Sequence, residues 1–311
     1  MGIVKAICIS EKRGTQKHSI DRVDLTTEWG IVGDAHGGNW HRQISLLSFE
    51  KIEEFKLKGA EIDFGAFGEN LVVEGFDFKN IPVGTRFQCN DTVIEMTQIG
   101  KECHTHCQIY HKMGDCIMPR EGVFAKVITP GTISVGDEFI QLESYEEKPL
   151  RAAVITLSDK GFAGEREDKS GPLLTAILEG QGYEVVESVL LPDTQAKIEI
   201  ELKRLSDGRQ VDLIVTTGGT GLSHRDVTPE ATLAVATRNV PGIAEAIRAY
   251  SMQITKRAML SRGVSVLRNH TLIVNLPGSP KAVKESMDII LSELDHGLNI
   301  LRGCASECAR Q

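Results

Sequence analysis

The chain has 311 residues, enough for two domains that each bury a core, and carries a formal charge of −8 from 35 Lys and Arg against 43 Asp and Glu. That acidic balance, with a pI near 5.7, no dense basic run and only 5% aromatic residues, excludes a nucleic-acid-binding protein. No apolar run approaches the ~20 residues of a membrane span, and the opening MGIVKAICIS lacks a signal-peptide pattern, so a cytoplasmic protein with seven reduced cysteines is expected.

Residues 1–142 read as short strands punctuated by glycine. Gly2 to Ser10 is a first strand and Gln43 to Leu47 a second; Ser48 begins a short helix through Phe49, Ile52 and Phe55 that ends at Gly59. Arg86 to Cys89 and Thr92 to Ile99 form a hairpin about Asn90-Asp91, and Val123 to Ile128 is expected to pair with Glu138 to Leu142 across the Pro130-Gly131 turn. An echo, Ile81-x-Val83-Gly84-x-x-Phe87 and Ile133-x-Val135-Gly136-x-x-Phe139, predicts two similar corners. Together these give a mostly antiparallel β-barrel with helical inserts.

Polar residues gather at three places in this half. They are Gly33-Asp34-Ala35-His36-Gly37-Gly38 with His41-Arg42-Gln43, then Phe67-Gly68-Glu69-Asn70, then Lys101-Glu102-Cys103-His104-Thr105-His106-Cys107 with Cys116 downstream. Cys103, Cys107, His104 and His106 supply soft ligands for a structural zinc, but no second Cys-x-x-Cys pair stands at zinc-ribbon spacing. Plain burial competes for all the thiols and is the reading for Cys8 and Cys89. His36 and His41 flank a glycine-rich loop, as anion contacts or as ordinary hydrogen-bonded loop histidines.

GDAHGG with HRQISLLS, FGENL, and the cysteine after QIGKE together resemble the MOSC domain, named after the C-terminal part of molybdenum cofactor sulfurases. The resemblance covers residues 1–142. It implies binding of molybdenum cofactor or of a sulfur species, with one cysteine as the sulfur or metal ligand. By position that cysteine is Cys103.

Residues 143–150, charged and containing Pro149, read as a linker. From 151 to 311 strands and helices alternate. Ala152 to Leu157 is a strand, Ser170-Gly171-Pro172 caps a helix, Glu184 to Leu191 is the next strand, and Thr194 opens a second helix. Val211 to Val215 is a buried parallel strand that breaks into Thr216-Thr217-Gly218-Gly219-Thr220-Gly221, followed by Asp226 and by Thr228-Pro229 as N-cap and first helical residue. Leu272 to Leu276 leads through Pro277 and Gly278 to Ser279-Pro280, another N-cap and helix start. This pattern predicts an α/β doubly wound, mainly parallel sheet covered on both faces.

Carboxyl ends of parallel strands share one edge, so Ser158, Asp159, Asp193, the Thr216 to Gly221 loop, Asp226, Gly278 and Ser279 are expected to converge there. The loop is neither a P-loop nor a GxGxxG fingerprint, and glycines in a bare strand-to-helix turn would look the same. The carboxylates weigh against a bare turn: beside a phosphate loop they repel the ligand unless a cation lies between. Two of them suit Mg²⁺ held between nucleotide phosphates, the arrangement for phosphoryl or nucleotidyl transfer.

VITLSDKGFAGEREDKSG, LPD, TTGGTGLSHRDVTPEAT, PGIAEAIR, AMLSR and NLPGSPKAV follow in order the pattern of MogA-like molybdopterin adenylyltransferases, which this half closely resembles over residues 151–303. The resemblance implies transfer of AMP from ATP to the terminal phosphate of molybdopterin, with release of pyrophosphate. It places Asp193 and Asp226 as the catalytic, Mg²⁺-binding carboxylates. Thr217, Gly218, Gly219, Thr220, Gly221, Gly278, Ser279, Ser158 and Asp159 become substrate- and phosphate-binding residues, and Lys169 a further candidate. It also implies a homotrimer through this domain and exchange with other molybdenum cofactor enzymes. MoeA-type enzymes have a similar loop but extra domains, and CinA-type domains carry Gly-Leu-Gly-Pro where this chain has Gly219-Thr220-Gly221. The rival reading is a non-catalytic carrier or storage protein for molybdopterin or molybdenum cofactor. Cys304 and Cys308 share a spacing for one helix face and have no assigned role.

Overall fold

The structure, a computed structural model, describes residues 1–101, 110, 113–143 and 148–302, and divides into two units, Met1–Glu146 and Glu147–Gln311. In the first, strands β1 (Gly2–Ile9), β5 (Ile44–Ser48), β6 (Leu71–Glu74), β7 (Arg86–Cys89), β8 (Thr92–Ile99), β9 (Val123–Thr129) and β11 (Glu138–Gln141) run in the order β11-β7-β8-β9-β5-β6-β1. A pairing of β1 with β11 closes this ring into a barrel, antiparallel except where β5 runs parallel to β6. Strand β2 (His18–Ile20) hangs on β1, and β10 (Gly131–Ser134), β3 (Arg22–Thr26) and β4 (Gly30–Ile31) form a separate three-stranded sheet. Side-chain alternation fills the inside with Val4, Ile44, Leu46, Leu71, Val73, Phe87, Ile94, Val123 and Phe139. Leu47, Val72 and Phe124 face outward and are covered by Ile52 and Phe55 of α1 (Phe49–Lys56) and by Met118 of α2 (Met118–Glu121).

The two echoed corners are built alike. Thr85 N donates to Pro82 O at 3.2 Å and Asp137 N to Ser134 O at 3.2 Å, with Gly84 and Gly136 at φ +87° and +93° in the third position of each turn, where a side chain would be strained. Phe87 and Phe139, which end the echo, stack with centroids 5.1 Å apart on the paired strands β7 and β11.

One expected pairing is corrected. Strand β9 pairs with β8 and β5, while β11 pairs with β7 and β1. The chain does not double back at Pro130-Gly131, because the next four residues are themselves strand β10, which pairs with β3 and buries Ile133 completely. The reversal falls later, at Gly136.

The second unit is a six-stranded sheet of order β13-β12-β14-β17-β16-β15. Strands β12 (Arg151–Leu157), β13 (Glu184–Leu191), β14 (Leu213–Thr217) and β17 (Thr271–Leu276) are parallel; β15 (Arg238–Asn239) and β16 (Ser265–Arg268) add an antiparallel edge. The β16–β17 hairpin turns on Asn269 at φ +52°. A short helix, α3 (Asp159–Phe162), follows β12. Alternate strand residues serve opposite faces. Ala152, Val154, Leu213, Val215, Leu272 and Val274 pack against α4 (Ser170–Gly180), α7 (Pro241–Ile254) and α8 (Pro280–Leu301). Ala153, Ile155, Ile214 and Ile273 pack against α5 (Gln195–Lys203) and α6 (Thr228–Val235). After β12 the chain crosses to β13 on one side and then to β14 on the other, so a crevice opens between the carboxyl ends of β12 and β14. Among the described residues no helix is long and apolar enough to cross a membrane.

Candidate functional site

The crevice holds a cavity of about 840 Å³, within the ~300–1,000 Å³ usual for small-molecule sites. Thr217, Gly218, Gly219, Thr220, Gly221, Asp226, Ser158, Asp159, Asp193, Gly278 and Ser279, all expected to converge, do line it together, as does Lys169. Their convergence follows from the parallel register, in which Thr156 stands beside Thr217 and Thr217 beside Leu276, so three loops leave the sheet at one level.

The loops are tied to one another by side chains. Thr217 Oγ1 donates to Pro277 O at 2.8 Å, and Ser170 Oγ donates to Gly278 O at 2.9 Å. Thr228 does not cap its helix as expected: it is the first helical residue, and its hydroxyl donates to Gly218 O at 3.0 Å, fastening the glycine loop to α6. Ser170 is likewise the first residue of α4 rather than its cap: Lys169 holds the N-cap position, and Asp168 Oδ1, one residue before it, accepts from Ser170 N and Gly171 N at 3.0 Å each. Ser279 caps α8 as expected, accepting from Ala282 N at 3.3 Å. Arg262, to which the sequence reading gave no role, clamps the outer side of the loop: Nε donates to Gly221 O at 2.7 Å, Nη2 to Asp226 O, and Nη1 pairs with Glu230.

Three carboxylates meet at one end of the cavity. Asp193 Oδ2 accepts from Asp159 N at 2.9 Å, and Asp159 Oδ1 accepts from Asp193 N at 3.0 Å. Arg225 grips Asp159 with both Nε and Nη2, at 2.9 and 2.8 Å, and holds its carboxyl below the ordinary value. Asp226 Oδ2 accepts from Ser223 N at 2.9 Å. Asp193 Oδ1 is buried and has no hydrogen-bond partner. Burial, then the charges of Asp159 and Asp226, push the Asp193 carboxyl above its ordinary value. An anionic oxygen without a donor, beside two further carboxylates, is a place for a cation. No group of three or more His, Cys, Asp or Glu among the described residues is arranged to hold a metal by itself. A hard cation here would therefore share Asp193 and Asp226 with phosphate oxygens, the usual habit of Mg²⁺.

In the first unit the polar motifs are spent internally. Asp34 accepts from Ser10 N at 3.0 Å and from Lys17 Nζ at 3.2 Å, with His36 Nδ1 at 3.8 Å. Glu69 accepts from Gly65 N and Phe67 N, and Asn70 bridges Ser45 to Cys8 O. Gln43 joins Thr27 O, Gly38 O and Val127 N. Cys8 and Cys89 are buried as expected, and burial pushes their thiols up to about 11 and about 12. Cys103, with the zinc alternative of His104, His106 and Cys107, lies outside the described residues, as do Cys304 and Cys308.

Comparison with known proteins gives two matches that divide the chain. Residues 153–296 match the family described as a probable molybdopterin binding domain, and residues 33–140 match the MOSC domain. The molybdopterin adenylyltransferase of Haemophilus influenzae is 45% identical over 141 residues, covering 45% of this chain and 72% of that protein. The molybdopterin adenylyltransferase of Helicobacter pylori strain J99 is 35% identical over 156 residues, covering 50% of this chain and 89% of that one. Among solved structures, the molybdopterin biosynthesis enzyme MoaB of Thermus thermophilus shares 45% identity, covers 50% of this chain and 97% of its own, and gives a TM-score of 0.48.

Proposed function

The C-terminal half of this chain belongs to the family of molybdopterin adenylyltransferases, with a MOSC domain ahead of it, and we propose that it transfers AMP from ATP to the terminal phosphate of molybdopterin during molybdenum cofactor biosynthesis. The observation that carries this reading is the buried, unpartnered Oδ1 of Asp193 between Gly219 and the other carboxylates. A carrier that only gripped a phosphate would gain nothing from a cluster of anions at its phosphate loop.

In the proposed reaction an oxygen of the pterin's phosphate attacks the α-phosphorus of ATP and a new P–O–P bond forms. The bond from that phosphorus to the bridging oxygen breaks, and its electron pair leaves with pyrophosphate. Gly219 to Gly221 present main-chain N–H groups and the Thr220 hydroxyl to the attacking phosphate, Gly218 N being held by Leu276 O at 3.2 Å, while Ser279 holds the pterin side from the start of α8. Asp193 and Asp226 would hold Mg²⁺, which supplies charge neutralisation between the two phosphates. Asp159, with its oxygens already engaged by Arg225 and Asp193 N, serves to orient Asp193 rather than to bind phosphate.

The test is adenylyl transfer with molybdopterin, ATP and Mg²⁺, run on the unchanged chain and on Asp226→Ala, detecting adenylylated pterin and pyrophosphate. Product from the first and not the second supports the enzyme. No product from an unchanged chain that still binds molybdopterin would establish the carrier reading instead.

For the MOSC unit the same reading assigns binding of molybdenum cofactor or a sulfur species at Cys103, with the fusion raising the local concentration of one site near the other, to the ~mM scale for short linkers. The C-terminal unit assembles as a homotrimer in this reading, and sedimentation of the full chain against its 34.1 kDa monomer mass tests that.

A further inference from the structure

Beside Asp159, the end of β12 and the loop after it also bring hydroxyls and cations to the cavity. Thr156 and Ser158 stand two residues apart at the carboxyl end of β12, both line the cavity, and they are only 6% and 7% exposed. Ser158 Oγ accepts from Gly161 N at 3.0 Å and from Arg166 Nη2 at 2.9 Å. A hydroxyl has two lone pairs and one proton; with both lone pairs occupied, Ser158 has only its proton to offer. Thr156 Oγ1 is buried with no hydrogen-bond partner at all. Two buried hydroxyls with unspent donor capacity on one wall call for an acceptor that the protein does not provide.

The cations around them point the same way. Arg166 makes no ion pair with any described carboxylate and spends its guanidinium on the neutral Ser158 hydroxyl, so its other N–H groups remain for a ligand. Lys160 and Lys169 stand on the same rim, Lys169 with an exposed ion pair to Glu167 at 3.8 Å. The acidic neighbours are each engaged: Asp168 Oδ1 accepts from the first N–H groups of α4, Glu167 pairs with Lys169, and Asp159 is held by Arg225. Gly171 is what lets these groups close in: a Cβ there would lie 2.6 Å from Thr156 Oγ1 and 2.5 Å from Asp168 Oδ2.

We propose that Thr156, Ser158 and Arg166 form a pyrophosphate subsite that receives the β- and γ-phosphates of the nucleotide, beside the Gly218 to Gly221 loop. This rests on the adenylyl-transfer reading and deepens it. When the bond from the α-phosphorus to the bridging oxygen breaks, a full negative charge develops on the departing pyrophosphate. Donors already aimed at that position stabilise it without reorganising. The wall bearing the cations suits this most highly charged fragment, whereas the loop beside Asp193 and Asp226 receives phosphate through a shared cation.

Calorimetric titration of the full chain with inorganic pyrophosphate tests the subsite directly, in parallel with titration by molybdopterin. Arg166→Ala should weaken pyrophosphate binding about tenfold or more, as removal of a charge-assisted hydrogen bond does. Thr156→Val should weaken it several-fold, Arg166→Lys should restore part of the loss, and molybdopterin affinity should stay within about twofold in all three. Arg166 is exposed, so its variants test binding without threatening the fold. Pyrophosphate that does not bind the unchanged chain, binds all variants equally well, or is lost only together with molybdopterin would overturn the subsite. Because this readout needs no turnover, it fails separately from the adenylyl-transfer assay: intact transfer with indifferent pyrophosphate binding rejects the subsite alone, and absent transfer with Arg166-dependent binding rejects the reaction alone.

Discussion

Asp159 and Asp193 hold each other by hydrogen bonds exchanged in both directions, the main-chain N–H of each donating to the carboxylate of the other at 2.9 and 3.0 Å. The exchange joins the end of β12 to the end of β13, and Arg225 ties it to the loop carrying Asp226. One carboxylate oxygen of Asp193 is thereby fixed and the other left free for the cavity.

Arg225 should therefore matter to activity far more than to stability. Its ion pair with Asp159 is exposed, with side chains 60% and 42% accessible, and such pairs contribute about 0–1 kcal/mol. Arg225→Ala is expected to leave the melting temperature nearly unchanged and to lower kcat about tenfold, with Arg225→Lys recovering part of it. Unaltered kcat in Arg225→Ala would show that the strut does not orient Asp193.

Gly219 sits at φ +62° with a Cβ position 2.2 Å from Thr228 Oγ1 and 3.0 Å from Asp193 Oδ1. Gly219→Ala must push the Thr228 hydroxyl off Gly218 O and displace Asp193. A destabilisation of about 1–3 kcal/mol is expected from the strain, together with loss of transfer. Gly68→Ala, also at positive φ but with nothing within 4 Å of its Cβ, is the control that isolates the backbone cost.

Asn275 joins three elements at the back of the site. Its Nδ2 donates to Thr216 Oγ1 and Thr232 Oγ1 at 3.0 Å each, and its Oδ1 accepts from Val264 N at 3.2 Å, all in a residue 3% exposed. Asn275→Leu strands two hydroxyls and an N–H, and about 2 kcal/mol or more of stability should be lost. Urea unfolding followed by circular dichroism measures it; a loss within error of zero would show that the hydroxyls find other partners.

In the first unit the Lys17–Asp34 pair is almost wholly buried, with side chains 3% and 0% exposed and 3.2 Å between Nζ and Oδ2. Removing one partner leaves a buried charge, so Asp34→Ala should cost about 3–5 kcal/mol. Burial alone would raise the Asp34 carboxyl, but His36, Lys17 and Ser10 N–H outweigh it and hold the group well below its ordinary value. Its folded value is depressed, so the stability it gives is present above about pH 4 and is lost as pH falls toward that folded value. Burial lowers Lys17 from its own ordinary value, the cost of the same pair. Both tryptophans, Trp29 and Trp40, lie in this unit, so their fluorescence reports its unfolding alone. Asp34→Asn should flatten the acid limb of that curve; an unchanged limb would assign acid unfolding to other carboxylates.

The candidate site was readable in the sequence because parallel strands bring every βα loop to one edge. Once the alternation of Ala152 to Leu157, Glu184 to Leu191 and Val211 to Val215 is recognised, Asp159, Asp193 and the glycine loop have nowhere else to go. Residues that act through distant partners were not readable. Arg262 reaches Gly221 O from 41 residues away, and nothing local marks it except its place at the end of AMLSR. Thr156 and Arg166 were overlooked for a related reason: a threonine in an apolar strand and an arginine in a charged loop look ordinary until their hydrogen bonds are counted.

By itself the sequence determined the composition of each half, the strand and helix periods, the turn residues at Gly84 and Gly136, and the family to which the C-terminal half belongs. Tertiary structure alone decided which strands pair and which polar atoms are spent. β9 and β11 have equally suitable alternation, and only the insertion of β10, with Ile133 driven into the core, sends them to different neighbours. Asp34 and Asp193 are both acids in polar motifs, yet the first is saturated by Ser10, Lys17 and His36 while the second keeps one bare oxygen. The physical reason is the same in both cases. Periodicity is a property of neighbours along the chain, whereas pairing and hydrogen-bond satisfaction depend on groups tens of residues apart that meet only when the core closes.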